Sequence, residues 1–149
     1  MLSLYLMRHG DAEAGHGKPD YMRALTPRGV SEAISQGRRL LKMAPNISRA
    51  LHSPYKRANQ TADLVNDILG DLPISSCEHL VPSGKVSMVL NAISGLEENI
   101  LLVCHLPIIA EIAMALTGAD LPFHPATIAH ITRENAFAQS GKLAWIQHP

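Results

Sequence analysis

Residues 2–11 read LSLYLMRHGD. From Leu2 to Met7 every position but Ser3 is apolar, the pattern of a strand buried on both faces rather than one that alternates between core and water. Such a strand needs helices above and below it. It then breaks off on Arg8, His9 and Gly10, two polar side chains and a residue without a Cβ. Polar groups at the carboxyl end of a buried strand are where open α/β sheets place their ligand sites.

The rest of the chain repeats the theme of strand followed by helix. Thr26-Pro27 offers an N-cap and a proline at the first helical position, and Val30, Ala33, Ile34, Leu40, Leu41 and Ala44 share one helical face before Pro45. A short strand at Ala50 to His52 precedes Ser53-Pro54, a second cap-plus-proline start for a helix carrying Ala58, Ala62, Val65 and Ile68 and stopped by Gly70. Ile74 to Leu80 reads as a strand, Val86 to Ile93 as a short helix, and Asn99 to Cys104 as a second buried strand. Pro107 opens an apolar helix that closes at Gly118, and Thr127–Thr132 and Lys142–Gln147 read as two final strands. The expected fold is a three-layer α/β domain, a mainly parallel central sheet with helices on both faces.

Composition sets the outer limits. With 149 residues, 46% of them apolar and 17% charged, the chain has the size of one ordinary domain, residues 1–149, able to bury a core. Thirteen Lys and Arg balance thirteen Asp and Glu, so no net field draws nucleic acid or an anionic membrane. Cys77 and Cys104 form no C-x-x-C pair, and the N-terminal apolar run is too short for a signal or membrane segment. A cytoplasmic, monomeric protein is the expectation.

Three strand ends carry a matching polar kit: Arg8-His9-Gly10, then Arg57 within SPYKRANQTA, then His105 within VCHLP. Two arginines supply planar forks for phosphate oxygens, and a helix start adds oriented N–H groups. The ligand they suit is a phosphoryl group, beside which Gly10 lets the backbone turn. Positive neighbours disfavour imidazolium, so from a reference value of roughly 6.5 His9 stays neutral and nucleophilic at pH 7. The other histidines, His16, His52, His79, His124, His130 and His148, lack metal-ligand spacing, so neither a metal nor any other cofactor is expected. Lys56 reads as a solvated helix charge and Cys104 as a small core residue.

LMRHGD, LTPRG, SPYKRANQTA and VCHLP, in this order and spacing, resemble the histidine phosphatase superfamily with its phosphoglycerate mutase-like fold, and within it the small SixA-type phosphohistidine phosphatases of bacteria. The resemblance spans nearly the whole chain. It implies His9 as the covalently phosphorylated nucleophile, Arg8, Arg57 and His105 as the rest of the phosphate pocket, and Arg23 at its rim. It also implies a phosphohistidine-bearing partner, either a phosphotransfer domain of a signalling phosphorelay or a carrier of a phosphotransferase system. Two departures stand out. Cys104 replaces the usual glycine before the second histidine, and no inserted segment supplies the glutamate that protonates alcohol leaving groups in larger relatives. Glu78 and His79 are the only nearby loop candidates for that proton. A small-molecule phosphomonoesterase and a phosphate-sensing module without turnover are the alternatives.

Overall fold

The computed structural model describes residues 1–149. In chain order it contains β1 (Leu2–Arg8), α1 (Pro27–Met43), β2 (Arg49–His52), α2 (Lys56–Leu69), β3 (Ile74–Ser76), α3 (Val86–Ile93), β4 (Ile100–Cys104), α4 (Ile108–Thr117), β5 (Ile128–Arg133) and β6 (Lys142–Gln147). Short 3₁₀ turns sit at Asp20–Met22 and Glu78–Leu80. The six strands form one sheet in the order β3-β2-β4-β1-β5-β6. The four strands from β3 to β1 run parallel, and β5 and β6 are antiparallel to their neighbours.

The unbroken apolar runs of β1 and β4 acquire their meaning from the period of two along a strand. Leu4, Leu6, Ile100, Leu102 and Cys104 point to one face and pack with Val89 and Ile93 of α3 and Ile108, Ile109 and Ile112 of α4. Tyr5, Met7, Leu101 and Val103 point to the other, against Leu40 of α1 and Ala58, Ala62 and Val65 of α2. Sheet and two helix layers therefore make the three-layer α/β fold. β4 inserts between β1 and β2, yet the helices following β1 and β4 lie on opposite faces, which opens a crevice at the carboxyl ends of these two central strands.

Local signals hold at most helix ends. The Thr26 hydroxyl accepts from the Gly29 N–H at 3.1 Å, and Gly70 and Gly118 end α2 and α4 with φ of 100° and 74°. Two readings need correction. The strand expected over Ile74–Leu80 stops at Ser76: β3 is an edge strand with exposed serines, and the 3₁₀ turn after it drives Leu80 into the core. The helix expected from Ser53-Pro54 starts at Lys56, after Tyr55, and the Ser53 hydroxyl accepts from the Tyr55 N–H at 3.2 Å rather than from an N–H inside the helix.

Candidate active site

β1 and β4 are paired so that Arg8 stands opposite Cys104. The residues that follow, His9 and His105, are thereby brought together, with the His9 N–H donating to the Cys104 carbonyl at 3.0 Å and the ring centroids 5.0 Å apart. β2 ends alongside, its Ser53 N–H bonded to the Val103 carbonyl. The third strand contributes Ser53, and α2 contributes Arg57 from its first turn. Both histidines, Ser53 and Arg57 are buried.

The His9 ring is fixed at both nitrogens. Nδ1 lies 2.6 Å from the Gly10 carbonyl, which can only accept, so Nδ1 carries the proton. Nε2 is then the basic nitrogen, and it accepts from Arg57 Nε at 3.2 Å. Burial above all, together with the charges of Arg57, Arg8 and Arg23 and against the opposing Gly10 carbonyl, lowers the His9 pKa to about 4. The expectation of a neutral imidazole holds, with burial rather than the arginines as the larger cause. His105 is held neutral for the same reason, with His9 as its next largest influence. Its Nε2 lies 2.7 Å from Ser53 Oγ, and Tyr55 packs edge-on against its ring at 5.2 Å.

Arg8 donates Nη1 to the Phe123 carbonyl at 3.0 Å, while its Nε has no hydrogen-bond partner within the chain. Arg57 lies over the Tyr55 ring at 5.3 Å. Arg23 is tied to the Glu13 carbonyl by Nε at 2.7 Å and to Asp20 by Nη1 at 2.9 Å. Gly10 stands where the end of β1 meets α1. Its N–H is bonded to Thr61 Oγ1 at 3.2 Å, and a Cβ there would stand 2.6 Å from the Gly29 carbonyl. Glycine is required so that α1 can approach the end of β1. Cys104 is a buried thiol pushed up to about 12 by desolvation, inert as a nucleophile. Glu78 is highly exposed and faces His79 at 3.7 Å, and no hydrogen bond or ion pair joins either to the histidine pair. No three or more His, Cys, Asp or Glu side chains cluster as a metal site.

Two members of the site escaped the sequence reading. Ser53 reads as a helix cap from its position before proline, but its hydroxyl, besides accepting from the Tyr55 N–H at 3.2 Å, meets His105 Nε2 at 2.7 Å. Asp20 lies in a Gly-, Asp- and Pro-rich loop with no periodicity to place it, and it contacts both Arg57 and Arg23.

The two neutral histidines carry a pH signature. The unfolded chain binds a proton on each below about pH 6.5, whereas folded His9 resists it until about 4. Stability is therefore complete above 6.5 and falls as the pH drops through this window, with a limiting slope of about 1.4 kcal/mol per pH unit for each histidine. Urea unfolding between pH 7 and 5 should show this loss, and His9→Asn should reduce the slope by about one proton. An unchanged slope would contradict a neutral His9.

A mainly parallel α/β sheet with paired imidazoles and arginines at adjacent strand ends belongs to the phosphate-handling class. Within it, the chain belongs to the histidine phosphatase superfamily (branch 1), whose family model matches residues 4–81. It is 33% identical to the phosphohistidine phosphatase SixA homolog of Haemophilus influenzae, over 87% of each chain. It is 31% identical to phosphohistidine phosphatase SixA of Escherichia coli strain K12, over 99% of this chain and 94% of that one. A structure of the protein histidine phosphatase SixA complexed with tungstate superimposes with a TM-score of 0.91 at 29% identity, covering 99% of this chain and 97% of the other.

Proposed function

We propose that residues 1–149 act as one domain, a protein phosphohistidine phosphatase that works through a phosphorylated His9. The observation that carries this reading is the state of the His9 ring: neutral, protonated on Nδ1, and presenting Nε2 to the side edge of an arginine fork. Its likeness to relatives named as phosphohistidine phosphatases supports the substrate class. The incoming phosphoryl group takes the place of the Arg57 Nε contact. The His9 Nε2 lone pair forms the new N–P bond, and the N–P bond of the substrate breaks, its electrons returning to the departing nitrogen. Protonated on its other nitrogen, that ring leaves as neutral imidazole. Phospho-His9 then carries positive charge on a ring whose Nδ1–H is held by the Gly10 carbonyl. Water attacks phosphorus, the electrons of the P–Nε2 bond return to Nε2, and the phosphate departs with the protons of the water.

Arg8, Arg57 and His105 stabilise the equatorial oxygens, and Ser53 sets the orientation of the His105 ring through Nε2. Arg23 stands at the rim. The partner is a phosphohistidine protein, a phosphotransfer domain or a phosphotransferase carrier, met by a cytoplasmic monomer. No helix is long and apolar enough to cross a membrane.

The leaving group provides the test. Imidazole needs little acid assistance, whereas an alkoxide must be protonated, and a site without a placed acid forfeits roughly 10² to 10⁴-fold on it. The kcat/KM should rank a phosphohistidine protein above an aryl phosphate and an aryl phosphate above an alkyl phosphate, with Glu78→Gln changing the first less than about twofold. An alkyl ester as the best substrate would replace this reading with a small-molecule phosphatase.

A further inference from the structure

A guanidinium has two forks, one between Nη1 and Nη2 at its end and one along the side at Nε. In Arg57 the end fork is closed by a single residue. Nη1 donates to the Asp20 backbone carbonyl at 2.7 Å and Nη2 to Asp20 Oδ2 at 3.2 Å. The side edge is the one that meets the nucleophile, through Nε to His9 Nε2 at 3.2 Å. The second oxygen of the same carboxylate, Oδ1, receives Arg23 Nη1 at 2.9 Å. One short 3₁₀ turn therefore ties together arginines from α2 and from the loop before α1.

We propose that Asp20 is a positioning residue of the phosphoryl-binding arginines, holding the end fork of Arg57 so that its side edge faces His9 Nε2, and restraining Arg23 at the rim. The proposal rests on the phosphatase reading of this site. Arg57 is buried, three of its nitrogens are committed in two directions, and Asp20 supplies both acceptors of the end fork. The bridging carboxylate also offsets repulsion between two cations that must both approach a dianion. The alternative, a carboxylate that keeps the place of the phosphate, conflicts with the edge it occupies. A phosphoryl group on Nε2 meets the side edge, and the carboxylate sits on the end fork. Hydrogen bonds from Arg23, and secondarily Arg57, hold the Asp20 carboxyl below the usual carboxylate range. Ionised at neutral pH, it is no proton donor to the leaving group.

The experiment combines Asp20→Asn with Arg57→Ala in a double-variant cycle, with tungstate affinity measured by calorimetry alongside turnover. Asp20→Asn keeps the backbone carbonyl and the side-chain volume, and its half-exposed position leaves the thermal midpoint within a few degrees of wild type. The expected result is a kcat at least tenfold lower and tungstate bound at least tenfold more weakly. In the Arg57→Ala background the same substitution should change kcat less than threefold, because only the rim contact to Arg23 is left for it to weaken. Equal losses in both backgrounds would assign Asp20 a merely structural role and overturn the proposal. Tighter tungstate binding by Asp20→Asn would overturn it in favour of a placeholder. A wild-type protein inert toward phosphohistidine would instead defeat the phosphatase reading, and the tungstate arm would still decide the role of Asp20.

Discussion

Replacing His9 with alanine should abolish turnover of a phosphohistidine protein, by on the order of 10⁴-fold or more, and leave the protein folded. The side chain follows the last residue of β1 and stands outside both core clusters, so its removal takes away a nucleophile and little packing. Its two hydrogen bonds explain why nothing replaces it. Nε2 is presented by a ring whose tautomer depends on the Gly10 carbonyl. His105, the nearest imidazole, has its Nε2 committed to Ser53. Activity and circular dichroism measured together decide the matter. Folded protein without activity is the expected outcome, and activity within a hundredfold of wild type would remove His9 from the mechanism.

The second large effect is at Arg57. Alanine removes the Nε donor facing His9, a buried positive charge and the partner of Asp20, three contributions that the proposed mechanism directs at the developing phosphoryl charge. Loss of one such contact in a transition state costs about 10² to 10³-fold in kcat. Arg57→Lys should recover little of this. An ammonium is a point charge that cannot hold Asp20 with one edge and address His9 with another. Steady-state kinetics on both variants test it. A loss under tenfold for Arg57→Ala, or full rescue by lysine, would take Arg57 out of the clamp.

The strand ends and the helix layers were legible from sequence for different reasons. β1 and β4 announce themselves because burial on both faces demands continuous apolar runs, and once the fold pairs them their register places His9 beside His105. Thr26, Gly70 and Gly118 are legible because capping is decided within a few residues. Ser53 is only partly legible for the same reason. Its local context indicates a cap, and its hydroxyl does accept from the Tyr55 N–H, but its contact with a buried histidine 52 residues away has no local signal. Asp20 is legible only once the fold brings its loop over α2, since nothing in its neighbours distinguishes it from other loop acids. Gly10 illustrates the converse: the need for glycine was visible, but the atom that enforces it, the Gly29 carbonyl, belongs to a helix whose approach no local pattern specifies.

The central claim is a covalent phosphoryl group on His9 Nε2, and one measurement addresses it directly. The protein is mixed with a phosphohistidine protein carrying labelled phosphate, quenched in alkali within milliseconds, digested and mapped. The account predicts label on the His9 peptide as an alkali-stable, acid-labile phosphoramidate that forms before inorganic phosphate appears, decays into it, and is absent from His9→Ala. Release of labelled phosphate with no labelled enzyme at any time, or label on a residue other than His9, would contradict it.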